Sequence, residues 1–442
     1  MPDDVFQQVL DAARAQGVTE IEAIVTTDSH ALTRFANNEI HQNVAERSTH
    51  LSIRPVIDGR TARASTNRLD AESIRAAVAE AIAITRLTEP DPELLPLATS
   101  GSASPVDRYF DATAAAAPQH RADAVAEAIH IVESQDQTAA GIYSTGETEF
   151  ELYNSRGVHA AHRETMARFS ITAMAADSSG WAKASACDLG ALSPRALAES
   201  AARKAAQSRA PRELPPGRYT VILEPAAVLD LAGQMFMDFS ATAIRDGRSF
   251  LNDRIGKKLF GENVTIRDDV RHPHQSGAPF DGEGVPRRGL TLVDRGEVRE
   301  IAYSRQAAAH AGVDATGHGF PLPNEMGEAP MNIVFDGGRT SLAAMIASGD
   351  RAILVTRLWY IREVDPYEKI FTGMTRDGTF LVERGEIVAG VRNFRFNESL
   401  IELLSNVEQL SPAIRASGEE TFDMVVPAMQ VAAFNFTEVT RF

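Results

Sequence analysis

The period of the apolar positions changes several times along the chain, and each change marks an element. From Asp3 to Gln16, Val5, Phe6, Val9, Leu10 and Ala13 recur at helical spacing and Gly17 follows as a stop, predicting an N-terminal helix. From Ile21 the period drops to two, through EAIVTTD, ALTRFANNEI and HQNVAERSTHLSIRPV to RTARAST after Asp58-Gly59, a hairpin signal. This predicts an antiparallel meander. Asp70 then opens a helix over Ala71 to Leu87 with Ile74, Ala77, Val78, Ala81 and Ile82 on one face. Thr88 to Pro105, rich in Pro and Ser, reads as a surface connection, and a helix is expected from about Arg121 to Ser134.

The same order of strands and Ala-rich helix then returns. With one small insertion Asn37 aligns with Asn154, His41 with His159, and Leu51-Ser52-Ile53 with Phe169-Ser170-Ile171. Residues of about 20–87 and 140–207 are therefore expected to be two copies of one unit within a first domain, 1–210. Pro211, Pro215 and Pro216 forbid helix and central strand between Ala210 and Gly217, so a second domain, 218–442, is expected to begin there.

In that second part, Tyr219 to Leu223 reads as a short buried strand, and Pro225 sits where a helix can start without losing a useful N–H. Val228, Leu231, Ala232, Met235, Phe236 and Phe239 fall on one face of a helix; Asp230, Gln234 and Asp238 form a polar stripe on the other. One side is built to be buried. Short strands follow, with hairpin signals at Asp294-Arg-Gly-Glu297, Asp377-Gly378 and Glu383-Arg-Gly-Glu386, and helices at Ser304 to Ala311, Ser341 to Ser348 and Glu398 to Leu404. MVVPAMQVAAFNF alternates like a closing strand. The class expected is α+β: an N-terminal duplicated antiparallel strand-and-helix domain and a C-terminal mainly β domain with a central helix.

Composition narrows the partners more than the fold. A formal net charge of −16 with no basic run argues against binding a phosphate backbone, so no nucleic-acid partner is expected. No apolar run approaches the ~20 residues of a membrane span and the amphipathic, acidic N-terminus lacks a signal-peptide pattern, so the expectation is a cytoplasmic protein with no membrane partner. Cys187 is the one cysteine, in an Ala-Ser-Ala setting that suits a small apolar filler better than a thiol nucleophile.

Several stretches together resemble the TldD/PmbA family, once called modulators of DNA gyrase, and within it the TldE (PmbA) branch. They are Asn37-Asn38-Glu39-Ile40; Pro279-Phe280-Asp281-Gly282-Glu283-Gly284-Val285; Tyr303-Ser304 leading to Thr316-Gly317-His318-Gly319; and Thr372-Gly373-Met374-Thr375-Arg376-Asp377-Gly378-Thr379-Phe380 followed by Val382-Glu383-Arg384-Gly385-Glu386-Ile387. They span nearly the whole chain in order. The resemblance implies a two-domain α+β fold, TldD-like subunits that are zinc peptidases, and TldE-like subunits that pair with them without a zinc motif. Catalytic members carry His-Glu-x-x-x-His on the helix that corresponds to the one after Pro225. Here the register reads Leu231-Ala232-Gly233-Gln234-Met235-Phe236-Met237, which offers no zinc ligand, so no metal or other cofactor is expected in this chain and zinc is expected in a TldD-like partner.

Other clusters carry two readings each. His272-Pro273-His274 could start a metal site or be a pair of solvated loop histidines; His162-Arg163-Glu164 mimics part of a deaminase signature but lacks its Pro-Cys-x-x-Cys and suits a strand edge. Asp281 and Glu283 could work as acid and base or cap a turn near the cavity. His318, between glycines, could touch substrate or be a loop histidine, and Arg376 could grip a peptide carboxylate or serve turn chemistry. Phe236 and Met237 extend the apolar cluster beyond what one buried face needs and are the expected interface residues. The expected function is a non-catalytic partner in a heteromeric TldD/TldE peptidase that processes unfolded or extended peptides, with a homodimer through the same surface when alone. The alternative is a peptide hydrolase active by itself through the Asp281, Glu283 and His318 region.

Overall fold

The computed structural model describes residues 2–99 and 103–440; residues 100–102 of the Pro- and Ser-rich connection lie outside the described residues. The N-terminal half contains α1 (Pro2–Arg14), β1 (Glu20–Ala36), β2 (Glu39–Ile57), β3 (Arg60–Thr61), β4 (Ala64–Thr66), α2 (Ala71–Leu87), α3 (Asp111–Ala114), α4 (Pro118–Glu133), β5 (Thr138–Asn154), β6 (His159–Met174), β7 (Ser179–Ala186) and α5 (Pro194–Gln207). Its strands form one antiparallel sheet in the order β3-β2-β1-β5-β6-β7, with β4 also on β2. Helix, two long strands, short strand and helix thus occur twice, and β1 and β5 lie side by side at the centre. Gly141 on β5 faces Phe35 on β1; a Cβ there would stand 2.7 Å from the Phe35 ring, so the glycine makes room for the aromatic at the seam.

Period-two burial on the strands and 3.6-period burial on the helices meet in two cores. One joins Val5, Val9, Ile74, Val78 and Ile82 to Leu51 and Ile53. The other joins Val125, Val132, Ala198 and Ala202 to Phe35, Phe169 and Ile171. The run of alanines in α5 lets it lie close to the sheet: a Cβ at Gly180 would come within 2.2 Å of Ala201 O.

The C-terminal half contains β8 (Gly217–Leu223), α6 (Pro225–Ala232), a 3₁₀ stretch at Gly233–Asp238, α7 (Ala241–Arg245), β9 (Ile266–Asp268), β10 (Leu290–Asp294), β11 (Glu297–Val298), α8 (Arg305–Ala311), β12 (Ile333–Phe335) and α9 (Leu342–Ser348). It continues with β13 (Arg351–Asp365), β14 (Ile370–Glu383), β15 (Glu386–Gly390), β16 (Phe394–Ser399), α10 (Leu400–Ser405), β17 (Val407–Leu410), β18 (Ile414–Ala416), β19 (Met424–Val426) and β20 (Met429–Val439). One sheet runs β11-β10-β9-β12-β19-β18. The other runs β13-β8-β20-β16-β14-β15, and because β13 also pairs with β14, five of its strands close into a ring. The end of β8 is buried on both sides, so Val221 and Leu223 enter the main core with Phe394, Phe396, Phe434 and Phe436 while Ile222 between them joins a second cluster with Leu354 and Phe380. The class is α+β, with α6 in the middle of the C-terminal core.

Two hairpin signals hold and one does not. Arg295-Gly296 and Arg384-Gly385 take positive φ at tight turns, but Asp377-Gly378 lies inside the unbroken strand β14, with φ of 51° and 130°. The register of β13 slips opposite it, between Val355 and Arg357, so the left-handed pair makes an irregularity within the sheet instead of reversing the chain.

Candidate functional site

The stretch after β8 departs from a single long helix. The α-helix ends at Ala232 and tightens into 3₁₀ turns over Gly233–Asp238. A Cβ at Gly233 would lie 2.5 Å from Thr421 Oγ1 and 2.7 Å from Met424 Cε, so an incoming loop presses on the helix where its winding changes. The expected polar stripe is not a solvent face. Asp230 is fully buried, and Asp238, also buried, pairs with Lys369 Nζ at 2.6 Å. Both sides of α6 are covered from Ala227 to Ala232, and the groups that satisfy the polar side come from residues far away in sequence, which periodicity cannot reveal.

The covering loop is Ser417 to Asp423. Asp230 Oδ1 accepts the backbone N–H groups of Glu419 at 3.0 Å and Glu420 at 3.1 Å, and Thr421 Oγ1 donates to Leu229 O at 3.1 Å. Gly418 passes so near that a Cβ would meet Asp230 Oδ1 at 2.0 Å. Burial is the main force that pushes the Asp230 carboxyl up to about 7, against the two N–H groups and Arg357, and its Oδ2 has no hydrogen-bond partner. From its other side the loop reaches the N-terminal sheet. Asp423 Oδ2 accepts from Arg168 on β6 at 2.9 Å, from Ser185 on β7 at 2.7 Å and from Arg415 at 3.0 Å, while Lys183 bonds Gly418 O and pairs with Glu419 at 3.2 Å.

Between this loop, strands β6 and β7, and the segments around Ser276 to Ala278 and Met331-Asn332 lies an open cleft of about 590 Å³. Four cations, Arg168, Lys183, Arg287 and Arg415, and three carboxylates, Glu164, Glu419 and Asp423, line it. Arg287 Nη1 and Arg168 Nε are buried without hydrogen-bond partners. Such a surface can receive backbone carbonyls and carboxylates. Sequence reasoning missed Arg168, Lys183, Arg415 and Asp423 altogether. Asp230 did carry a signal, as an acid flanked by leucines in an otherwise apolar turn.

The residues at the expected metal position do not fit zinc. Positions 231–237 supply no imidazole, carboxylate or thiolate, and Asp230 is spent on the loop. Among the described residues, no group of three or more His, Cys, Asp or Glu side chains is arranged to hold a metal ion. His272 and His274 face one another with ring centroids 5.5 Å apart on a loop. His162 sits within β6, 3.4 Å from Glu164, whose Oε2 also accepts from Gly277 N at 2.6 Å. The Cys187 thiol is pushed up by burial and by the charge of Glu164, which disfavours a nucleophilic thiolate.

Asp281, Glu283 and His318 are buried and line neither this cleft nor the second one described below. Asp281 accepts the N–H groups of Glu283, Val285 and Gly319 at 2.9, 2.9 and 2.8 Å, the pattern of a turn organiser. Burial, then the Asp281 charge, pushes Glu283 up to about 7, opposed by Arg305 at 3.3 Å. His318 Nδ1 is 2.9 Å from Thr316 Oγ1 and its Nε2 stands 3.1 Å from Asp268 Oδ1. The His318 side chain is enclosed and opens onto neither cleft. The loop that carries Asp281 and Glu283 docks on the N-terminal sheet, where Phe280 packs against Phe150 at 5.7 Å.

Arg376 lies in a second cleft, of about 720 Å³, where β14 meets the segments around Asp177 to Ser179 and Ser208 to Pro211. Of the expected interface residues, Phe236 belongs to the core, packed against Phe239 and Phe335, whereas Met237 is 42% exposed. Asp238–Lys369 and the Arg254 guanidinium, 4.0 Å from the Tyr367 ring, bring Met237 and Ile255 to the tip of the β13–β14 hairpin, where Tyr360, Val364 and Tyr367 are also exposed.

Three family models match the chain: the PmbA/TldA metallopeptidase domain 1 over residues 21–85, the central domain over 109–209, and the C-terminal domain over 216–438. Among curated relatives, an uncharacterized protein of Methanocaldococcus jannaschii is 30% identical over 172 residues, 38% of this chain and 40% of its own length. A metalloprotease of Methanothermobacter thermautotrophicus is 25% identical over 215 residues, 46% and 44% of the two chains. The alignments thus span less than half of each relative. In structure, TldE from Thermococcus kodakarensis superposes with a TM-score of 0.88 at 20% identity, covering 98% of this chain and 100% of that one. A Thermotoga maritima structure named for a modulator of a DNA gyrase gives 0.87 at 20% identity, covering 99% and 100%. At that identity the likeness is one of fold.

Proposed function

Because the chain belongs to the PmbA/TldD metallopeptidase family, we infer that it is a TldE-like partner subunit, which shapes the peptide cavity of a heteromeric metallopeptidase and leaves bond cleavage to a zinc-bearing TldD-like chain. The observation that carries this reading is the bond from Asp230 to the N–H groups of Glu419 and Glu420: the helix that would present metal ligands to a cavity is covered by a loop and supplies none. The cleft beside that loop, lined by Arg168, Lys183, Arg287 and Arg415, is the proposed contact for an extended, unfolded peptide held largely through its backbone. The apolar group of Met237, Ile255, Val364 and Tyr367 is the proposed partner surface, used for a homodimer when the chain is alone.

A self-contained hydrolase built on Asp281, Glu283 and His318 is disfavoured because all three side chains are buried and each is occupied by neighbouring groups. The acidic composition, single cysteine and lack, among the described residues, of a helix long and apolar enough to cross a membrane support the proposed cytoplasmic setting without nucleic-acid or lipid partners.

The test is co-expression with a family member bearing His-Glu-x-x-x-His. We expect a stable complex with about one zinc per pair and peptide cleavage that neither chain alone matches. Tightly held zinc in this chain alone, with cleavage lost to a chelator, would overturn the proposal.

A further inference from the structure

The second cleft has the makings of a ligand site of its own. It opens where the N-terminal half meets β14 and the segment after β15, and its volume of about 720 Å³ lies within the range of small-molecule pockets. Asn393 stands on its wall with Oδ1 turned to two hydroxyls, Thr375 at 3.3 Å and Thr379 at 3.0 Å, which are linked to each other at 2.8 Å. The amide oxygen is thereby consumed, and Nδ2 has no partner among the described residues. Arg376 and Arg392 line the same space with half-exposed side chains. Ser208 Oγ, also on the lining, is buried without a partner.

The carboxylates present do not cancel these donors. Asp377 is engaged by Arg357 and by Ser179 Oγ at 2.6 Å, and Asp177 accepts from Ala210 N at 2.8 Å. Arg376 stands 3.5 Å from Asp377, which already has Arg357, and Arg392 reaches Glu213 at only 4.0 Å. Left-handed backbone at Asp377 and Gly378, inside a strand, turns this wall out of the regular pleat, the kind of local strain that collects at binding sites.

We propose that this cleft binds the free carboxylate of a short peptide, with Arg376 and Arg392 as cationic donors and Asn393 Nδ2 as the fixed neutral one. A planar carboxylate matches guanidinium N–H pairs, and the remaining volume holds a residue or two of chain. The site is independent of the partner-subunit reading and belongs to this chain alone.

The chain's two tryptophans report on it. Trp359 carries Arg376 over its ring at 5.1 Å, and Arg357 lies 4.8 Å from the Trp181 ring and 5.3 Å from that of Trp359. A ligand that draws Arg376 away changes the surroundings of Trp359. Purified chain is titrated with N-acetyl-dialanine, its C-terminal amide, and inorganic phosphate, followed by intrinsic fluorescence and calorimetry. The expected result is saturable binding of the free acid, weaker by about tenfold or more for the amide and for phosphate. Arg392→Gln and Asn393→Asp, the second of which keeps the acceptor for Thr375 and Thr379 and replaces the donor by a negative oxygen, are expected to weaken it by a similar factor with an unchanged circular dichroism spectrum. No saturable binding below about 10 mM, equal binding of acid and amide, or phosphate binding as tightly as the peptide acid overturns the proposal.

Discussion

Arg357 and Asp377 form a buried ion pair between β13 and β14, with both side chains about 8% exposed and the guanidinium lying beside the rings of Trp181 and Trp359. Trp181 comes from the N-terminal sheet, so the pair fastens the two halves as well as two strands. Removing one member strands the other charge in a poorly solvated place. Asp377→Ala is expected to cost roughly 3–5 kcal/mol, and Arg357→Met combined with it less than the sum of the single changes. Denaturant unfolding of the three variants checks this; additive losses would show that the pair is not coupled.

Asp230 is destabilising when ionised. Its folded value near 7 exceeds the ordinary 3.8, so its favourable contribution is present below pH 3.8 and is lost as pH rises through 7. Asn at this position keeps one oxygen for Glu419 and Glu420 N–H and carries no charge. Relative to the parent, Asp230→Asn should gain stability between pH 4.5 and 8, on the order of 2–4 kcal/mol, in thermal or denaturant unfolding across that range. A gap independent of pH would show that Asp230 does not titrate there.

Asp268 behaves in the opposite sense. Burial alone would raise its carboxyl, but His318 and Arg287 hold it below 3.8, so its contribution is present above that value and is lost as pH falls through the folded one. His318→Phe leaves Asp268 enclosed without its imidazole and should cost roughly 3–5 kcal/mol near neutrality, with the gap narrowing below pH 4. An undiminished gap in acid would assign the loss to packing.

Gly319 fills a narrow seam: a Cβ there would stand 2.8 Å from Glu283 Oε1 and 3.2 Å from Asp281 Oδ2. Gly319→Ala should destabilise by about 1–3 kcal/mol, through displaced carboxylates in a packed turn. Pairing it with Glu283→Ala, which opens the space, should recover part of the loss in calorimetric unfolding.

Met237→Glu places a charge at an exposed apolar position next to Asp238, which is paired with Lys369 near the β13–β14 turn. Sedimentation should show weaker association of the chain with itself or with a TldD-like partner, while the melting of the N-terminal half stays unchanged. Unaltered association would move the interface elsewhere.

Much of this fold could be read from sequence because local rules decided it. Asp58-Gly59 and the paired Arg-Gly turns demand positive φ, and α2 from Ala71 follows an Asp70 cap that accepts Ser73 N. The failures share a cause. Asp377-Gly378 has hairpin chemistry, yet β13 pairs with β14 up to Arg376 and again from Thr379, so the strand continues through an irregularity instead of reversing. The polar stripe of Asp230 and Asp238 looked solvent-facing because its partners, Glu419, Glu420 and Lys369, lie more than a hundred residues later. Asp281, Glu283 and His318 were legible as a group in a glycine-rich setting, but their enclosure depends on how two halves meet.

The ring of β13, β8, β20, β16 and β14 is closed by a strand that arrives late: Phe436 on β20 pairs with Gly217 on β8, roughly two hundred residues earlier. During synthesis β8 therefore leaves the ribosome long before one of its neighbours exists, and its N–H and C=O groups wait beside apolar side chains of the future core. Until β20 emerges, the C-terminal half is an open sheet with two bare edges, the form most prone to pair with another nascent chain.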